Sequence, residues 1–123
     1  MATNIKSATA YVNYTEFSGD SLRMSFTYKD EAGTPVDMTS QTVKMDIKVL
    51  PDDAVPLLTL TELDGIVLGN AESNIVATIT DTQTLALGVS DLVYDMEFKD
   101  SSGHVNTLIS GSITLEQGVT DPA

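Results

Sequence analysis

The sequence predicts an all-β domain, because three segments alternate between apolar and polar residues. These segments are Leu22–Lys29, Val43–Val49 and Leu92–Lys99. Successive side chains of a β-strand point to opposite faces of the sheet. Each segment therefore has one face suited to a core and one suited to water, as in antiparallel sheets. The apolar positions of the alternation are Leu22, Met24, Phe26, Tyr28, Val43, Met45, Ile47, Val49, Leu92, Tyr94, Met96 and Phe98.

Weaker strand patterns fill the gaps between these three segments. They are Ala8–Tyr14, Leu57–Thr61, Ile66–Leu68, Ile75–Thr80 and Val105–Leu115. Turn-forming residues separate the runs, among them Gly19-Asp20 and Pro51-Asp52-Asp53. Together the patterns predict about seven to eight short strands at near-regular spacing, which is typical of a β-sandwich or barrel.

One segment has the pattern of a short helical turn near residues 81–87. Asp81 can accept a backbone N–H as the N-cap for Thr82–Leu87, and Gly88 can end the turn. A single helical turn between late strands is compatible with a sandwich.

The core can be predicted from the inward positions of the strands. We expect Tyr14, Tyr28 and Tyr94 to point inward and Tyr11 outward, and we expect replacement of the outward Thr27 or Glu97 to cost little stability. The predicted core consists of Leu22, Met24, Phe26, Met45, Ile47, Ile75, Ile79, Tyr94, Met96, Phe98, Ile113 and Leu115.

Length and charge limit the classes of function. The 123 residues suit one domain, which we divide into an N-terminal arm (1–9), a sandwich domain (10–118) and a C-terminal tail (119–123). The formal net charge is -12, and the chain contains no cysteine. Such a surface repels phosphates, so we expect neither a nucleic acid nor a membrane as partner. Disulfides and thiolate metal sites are excluded.

No residue pattern points to catalysis, a cofactor or a metal. His104 is the single histidine and lies at a predicted hairpin tip. A catalytic histidine needs a nucleophile and a group that orients its ring, and the sequence pattern offers neither for His104. Asp95 and Glu97 share an outward, hydrated strand face. Asp52 and Asp53 lack the spacing of a calcium loop. We therefore predict a protein that is not an enzyme, with no catalytic, cofactor-binding or metal residues.

The order of motifs resembles that of a family of small structural domains of tailed phages, similar to the N-terminal domain of baseplate upper proteins. The resemblance covers roughly residues 19–120. It is carried by Gly19-Asp20, the strand Leu22–Tyr28, Asp30–Thr39, the strand Val43–Val49, Ile66, Asn74–Ile79, Asp81–Leu85 with Gly88, Tyr94–Met96, Gly103, Leu108–Gly111, Ile113 and Val119–Thr120.

This resemblance implies an immunoglobulin-like antiparallel β-sandwich and a structural role in a virion. The expected protein is a non-enzymatic component of the tail, baseplate, fibre attachment or capsid surface. It would assemble in the host cytoplasm with other virion structural proteins and form a homo-oligomer within the assembly. The alternative is a host-surface or carbohydrate-binding β-sandwich module. The chain contains no tryptophan, whereas sugar-binding surfaces usually expose aromatic residues.

Partner contacts are expected in the loops and at the N-terminus. We predict that the arm, residues 1–9, packs on a neighbouring subunit, because it lacks a core pattern and unpaired sheet edges recruit other strands. The loop residues predicted to bind partners are Asp30, Glu31, Thr34, Asp52, Asp53, Ser102 and His104.

Overall fold

The computed structural model describes residues 3–5, 10–100 and 102–119. This part of the chain forms ten strands and one helix. In chain order they are β1 (Thr3–Ile5), β2 (Ala10–Tyr11), β3 (Tyr14–Phe17), β4 (Leu22–Tyr28), β5 (Thr42–Lys48), β6 (Leu58–Thr61), β7 (Ile66–Leu68), β8 (Ile75–Ile79), α1 (Asp81–Leu87), β9 (Ser90–Lys99) and β10 (Val105–Glu116).

The strands form two sheets that pack face to face. The first sheet has the order β1-β4-β8-β7, and the second has the order β2-β10-β9-β5-β6, with β3 also paired to β10. This arrangement is a β-sandwich, and the helix connects β8 of the first sheet to β9 of the second. The predicted all-β sandwich is therefore confirmed. The N-terminal strands depart from the antiparallel expectation, since β1 runs parallel to β4, and β2 and β3 run parallel to β10.

The first predicted strand, Ala8–Tyr14, is divided in two by a local irregularity. Between β2 and β3, the Asn13 side chain takes over part of the ladder, because its Oδ1 accepts from the Ser112 backbone N–H at 3.0 Å. Next to it, the Val12 N–H donates to the Ser110 carbonyl at 3.0 Å. The segment therefore stays attached to β10 although the regular register is interrupted.

The core lies between the two sheets. All twelve predicted core residues are buried, and so are residues that the alternation did not single out as core, including Met38, Leu60 and Leu108. The four methionines of the described part, Met24, Met38, Met45 and Met96, have no exposed surface. Tyr11 is exposed, as expected.

Two predictions of side-chain facing were wrong. Thr27 was expected in solvent but is buried, and its Oγ1 accepts from the Ser73 N–H at 2.9 Å. The loop before β8 covers this end of β4, which removes Thr27 from water. Val49 was expected inward but is half exposed, because β5 ends at Lys48 and the alternation no longer applies.

The predicted helix is confirmed, but its N-cap is Thr80 rather than Asp81. The Thr80 side chain accepts from the Gln83 N–H, and the Gln83 Oε1 accepts from the Thr80 N–H at 2.9 Å. This reciprocal pair is a capping box. Gly88 follows the helix as predicted, and its N–H donates to the carbonyls of Thr84 and Leu85.

Three residues of the predicted N-terminal arm form part of the first sheet. Thr3–Ile5 pairs with residues 26–28 of β4 in the same chain. The other residues of the arm, and residues 120–123 of the predicted tail, lie outside the described residues. In the described part, no helix is long and apolar enough to cross a membrane.

Candidate interaction surfaces

The two ends of the sandwich carry different surfaces. The rings of Tyr28 and Phe98 meet edge to face across the core, with centroids 5.9 Å apart. This contact brings the last residues of β4 and β9 to the same end of the molecule. We call this end of the sandwich the turn end. It includes the turns that begin at Asp30 and Asp100.

The turn after β4 is closed by one aspartate and one glycine. Asp30 exchanges backbone hydrogen bonds with its neighbours: its carbonyl accepts from the Gly33 N–H at 3.0 Å, and its N–H donates to the Thr34 carbonyl at 2.9 Å. Its side chain accepts from the Thr34 N–H at 3.0 Å. Gly33 has φ +85°, a left-handed conformation that favours glycine.

The turn after β9 repeats this geometry. The Asp100 carbonyl accepts from Gly103 N–H at 3.0 Å, its N–H donates to the His104 carbonyl at 3.0 Å, and its side chain accepts from the His104 N–H at 2.9 Å. In addition, His104 Nδ1 lies 3.6 Å from the second carboxylate oxygen. Both aspartates therefore hold turns, whereas the neighbouring predicted residues Glu31, Thr34, Ser102 and His104 present exposed side chains.

The remaining predicted contact residues, Asp52 and Asp53, lie at the opposite end. β5 runs antiparallel to β9, and its last residue, Lys48, pairs with Val93 near the start of β9. The loop after β5 is thus placed beside α1, at what we call the helix end. Asp53 Oδ2 accepts from the Leu50 N–H at 3.0 Å, so this carboxylate also supports its own loop. The structure brings five of the seven predicted residues together and separates the other two.

A buried amide that the sequence patterns did not reveal supports the turn end. Asn74 is 1% exposed. Its Nδ2 donates to the carbonyls of Tyr28 at 2.9 Å and Val36 at 2.8 Å, and its Oδ1 accepts from the Tyr28 N–H at 2.8 Å. The amide thereby ties the residue before β8 to both sides of the Asp30 turn. Only an amide supplies two donors and an acceptor in this shape.

The helix end carries an apolar depression between α1 and the start of β6. It has a volume of about 240 Å³. We call it the helix-end groove, and it is lined by Leu57, Leu58, Gln83, Ala86 and Leu87. Leu57 is 54% exposed. The apolar run Val55-Pro56-Leu57-Leu58, which leads into β6, is a signal in the sequence, since a strand entry that faces water is seldom so apolar.

Charged residues are distributed unevenly along the sequence. Between Lys48 and Lys99 the sequence contains no lysine, arginine or histidine. The same stretch supplies α1 and both sides of the helix-end groove. Its acidic residues are Asp52, Asp53, Glu62, Asp64, Glu72, Asp81, Asp91, Asp95 and Glu97. None of the five lining side chains of the groove is charged. Four acids of this stretch belong to elements at the helix end: Asp52 and Asp53 in the loop after β5, Asp81 in the first turn of α1 and Asp91 at the start of β9. Lys48, the last residue of β5, is a cation at the same end.

A second, smaller depression of about 180 Å³ lies on the outer face of the second sheet. Asp46 and Asp95 stand side by side there on β5 and β9. Both carboxylate oxygens of Asp46 already have partners. Its Oδ1 accepts from the Thr59 hydroxyl at 2.7 Å, and its Oδ2 lies 3.7 Å from Lys44 Nζ. Among the described residues, no group of three or more histidine, cysteine or acidic side chains has the geometry to hold a metal ion.

Comparison with models of known protein families and with curated protein sequences gives no match for this chain.

Proposed function

We propose that this chain is a non-enzymatic structural subunit of a tailed-phage virion that acts through protein–protein contacts. Within the virion, it belongs to the tail, baseplate, fibre attachment or capsid surface. The order of its turns and strands resembles that of phage structural domains. A compact sandwich with loops at both ends suits a subunit that must touch neighbours on more than one side.

The observation that carries the contact role is the concentration of exposed apolar side chains at the helix end. Val55 is 78% exposed, Val89 is 58% exposed and Leu85 is 52% exposed, in addition to Leu57. Exposed apolar side chains at one end of a domain favour a site of protein contact there, because water contact with apolar surface is unfavourable. The strongly acidic remainder of the surface suits a hydrated subunit.

The first sheet supports a further contact with a neighbouring subunit. β1 lies at the margin of this sheet, next to β4. A strand at a sheet margin can pair with a strand of another chain. The N-terminal arm, residues 1–9, is therefore proposed to contact a neighbouring copy through this margin, with homo-oligomer formation in the assembly.

The test is the composition of intact particles. Phage particles are purified from the source culture, their proteins are identified by mass spectrometry, and cryo-electron microscopy locates the sandwich. We expect this chain at a stoichiometry that matches the symmetry of its position. Its absence from intact particles, with a soluble pool in the host cell, would reject the virion role.

A further inference from the structure

We propose that the helix-end groove binds a segment of a different protein in which an apolar side chain is flanked by lysine or arginine. This inference rests on the proposed contact role and specifies the partner for one surface. Four of the five lining side chains are apolar: Leu57, Leu58, Ala86 and Leu87. The volume of about 240 Å³ exceeds the roughly 150 Å³ of a cavity that admits benzene. One aliphatic or aromatic anchor therefore fits.

The groove is held in shape before any partner arrives. Gln83, its single polar lining side chain, is fixed by the capping box with Thr80. On the inner side of the helix, the buried Thr84 hydroxyl donates to the Asp20 carbonyl at 2.8 Å and accepts from the Gly19 N–H at 3.0 Å. These bonds anchor α1 to the turn that precedes β4. A preformed groove loses little conformational entropy on binding, which favours affinity.

Charge determines the kind of partner. The helix end carries Asp52, Asp53, Asp81 and Asp91 against the single cation Lys48, so its charge is predominantly negative. A second copy of this chain would bring the same acids against it, and like charges at an interface are unfavourable. Lysine or arginine beside the anchor would instead be attracted, and their aliphatic stems can cover apolar surface. The favoured occupant is thus a basic, amphipathic segment of another protein.

The experiment titrates the isotope-labelled 123-residue chain with three short synthetic peptides and follows the backbone amides by NMR. The first peptide combines leucine and lysine, the second serine and lysine, and the third leucine and glutamate. Two variants bring the same charge change to the chain. Ala86→Arg places a cation in the groove on an exposed helix position, where arginine is a good helix former. Leu63→Arg places it at the exposed tip between β6 and β7.

We expect saturable shifts at Leu57, Leu58, Ala86 and Leu87 with the leucine–lysine peptide. Its affinity should fall at least about tenfold in Ala86→Arg and change by less than about twofold in Leu63→Arg. Equal binding of the serine–lysine peptide, equal loss in both variants, or dimerisation of the chain through the groove would overturn the proposal. The peptide titration and the particle analysis are independent measurements. Failure of peptide binding would reject the groove proposal alone, whereas absence of the chain from particles would reject the virion role.

Discussion

The Tyr94 hydroxyl donates a hydrogen bond of 2.8 Å to the Val12 carbonyl. Tyr94 stands in the middle of β9, and Val12 lies in the irregular step between β2 and β3. The bond therefore joins the centre of the second sheet to the N-terminal segment at the point where the regular ladder is interrupted. The Tyr14 ring lies 6.1 Å from the Tyr94 ring and packs on the same side.

Tyr94→Phe should destabilise the domain by about 1–3 kcal/mol, because the Val12 carbonyl loses its side-chain donor while the ring still fills the core. The free energy of unfolding can be measured by urea denaturation. Amide hydrogen exchange should accelerate most in β2 and β3. Tyr11→Phe serves as the control, since Tyr11 is 79% exposed. Equal losses in the two variants would contradict the assigned role of the hydroxyl.

The stability of the domain should fall at alkaline pH. Burial raises the pKa of Tyr94 well above its ordinary value of 10.0, and the neighbouring Tyr14 raises it further. A raised folded-state pKa means that the unfolded chain loses the proton first. The stabilisation that the protonated Tyr94 gives the folded state is complete below the ordinary pKa. It is lost as the pH rises toward the folded-state pKa. Urea unfolding between about pH 9 and pH 11 should show a smaller loss in Tyr94→Phe than in the unmodified chain. Identical slopes would exclude Tyr94 as a cause.

Gly111→Ala should be among the most damaging single substitutions. A Cβ at this position would collide with the Val12 carbonyl oxygen and lie 2.7 Å from its carbonyl carbon. Because backbone cannot move aside easily, we expect a loss of about 3 kcal/mol or more in the free energy of unfolding. At Gly69 an added Cβ would meet its nearest atom at 3.9 Å. Gly69→Ala is therefore the control, and a similar loss there would argue against close approach as the cause.

Asn74→Asp should weaken the turn end more than its small change in shape suggests. A carboxylate cannot donate, so it would face the carbonyls of Tyr28 and Val36 without a hydrogen bond. We expect a loss of at least about 3 kcal/mol at neutral pH, measured by chemical denaturation. The loss should shrink at acidic pH as the carboxyl gains a proton. Asn70→Asp makes the same change at an exposed position and should be nearly neutral.

The strands could be predicted from sequence wherever one face of a strand meets the core and the other meets water. That condition holds for β4, β5 and β9, whose buried positions follow the alternation. It fails for Thr27, because a loop covers the face that the pattern assigns to water. It also fails at Leu108, where a register shift between Thr107 and Ile109 places consecutive residues in the core.

The surfaces were harder to predict than the strands. The turns at Asp30 and Asp100 could be expected from aspartate and glycine spacing alone, because their hydrogen bonds are local. The placement of Asp52 and Asp53 at the other end depends on strand direction, which no local pattern encodes. The helix-end groove joins Leu57 to Ala86, and Asn74 joins β8 to Val36. Such contacts between distant parts of the chain become visible only in three dimensions.

The burial of Met24, Met38, Met45 and Met96 makes this core sensitive to oxidants only when it opens. While the sandwich is closed, peroxide cannot reach the thioethers of these residues. After a transient opening, a sulfoxide formed on any of them is polar and chiral, and it no longer fits the apolar space between the sheets. Unless a sulfoxide reductase removes the oxygen, the oxidised fraction would therefore rise with the total time that a subunit has spent open in the presence of oxidant.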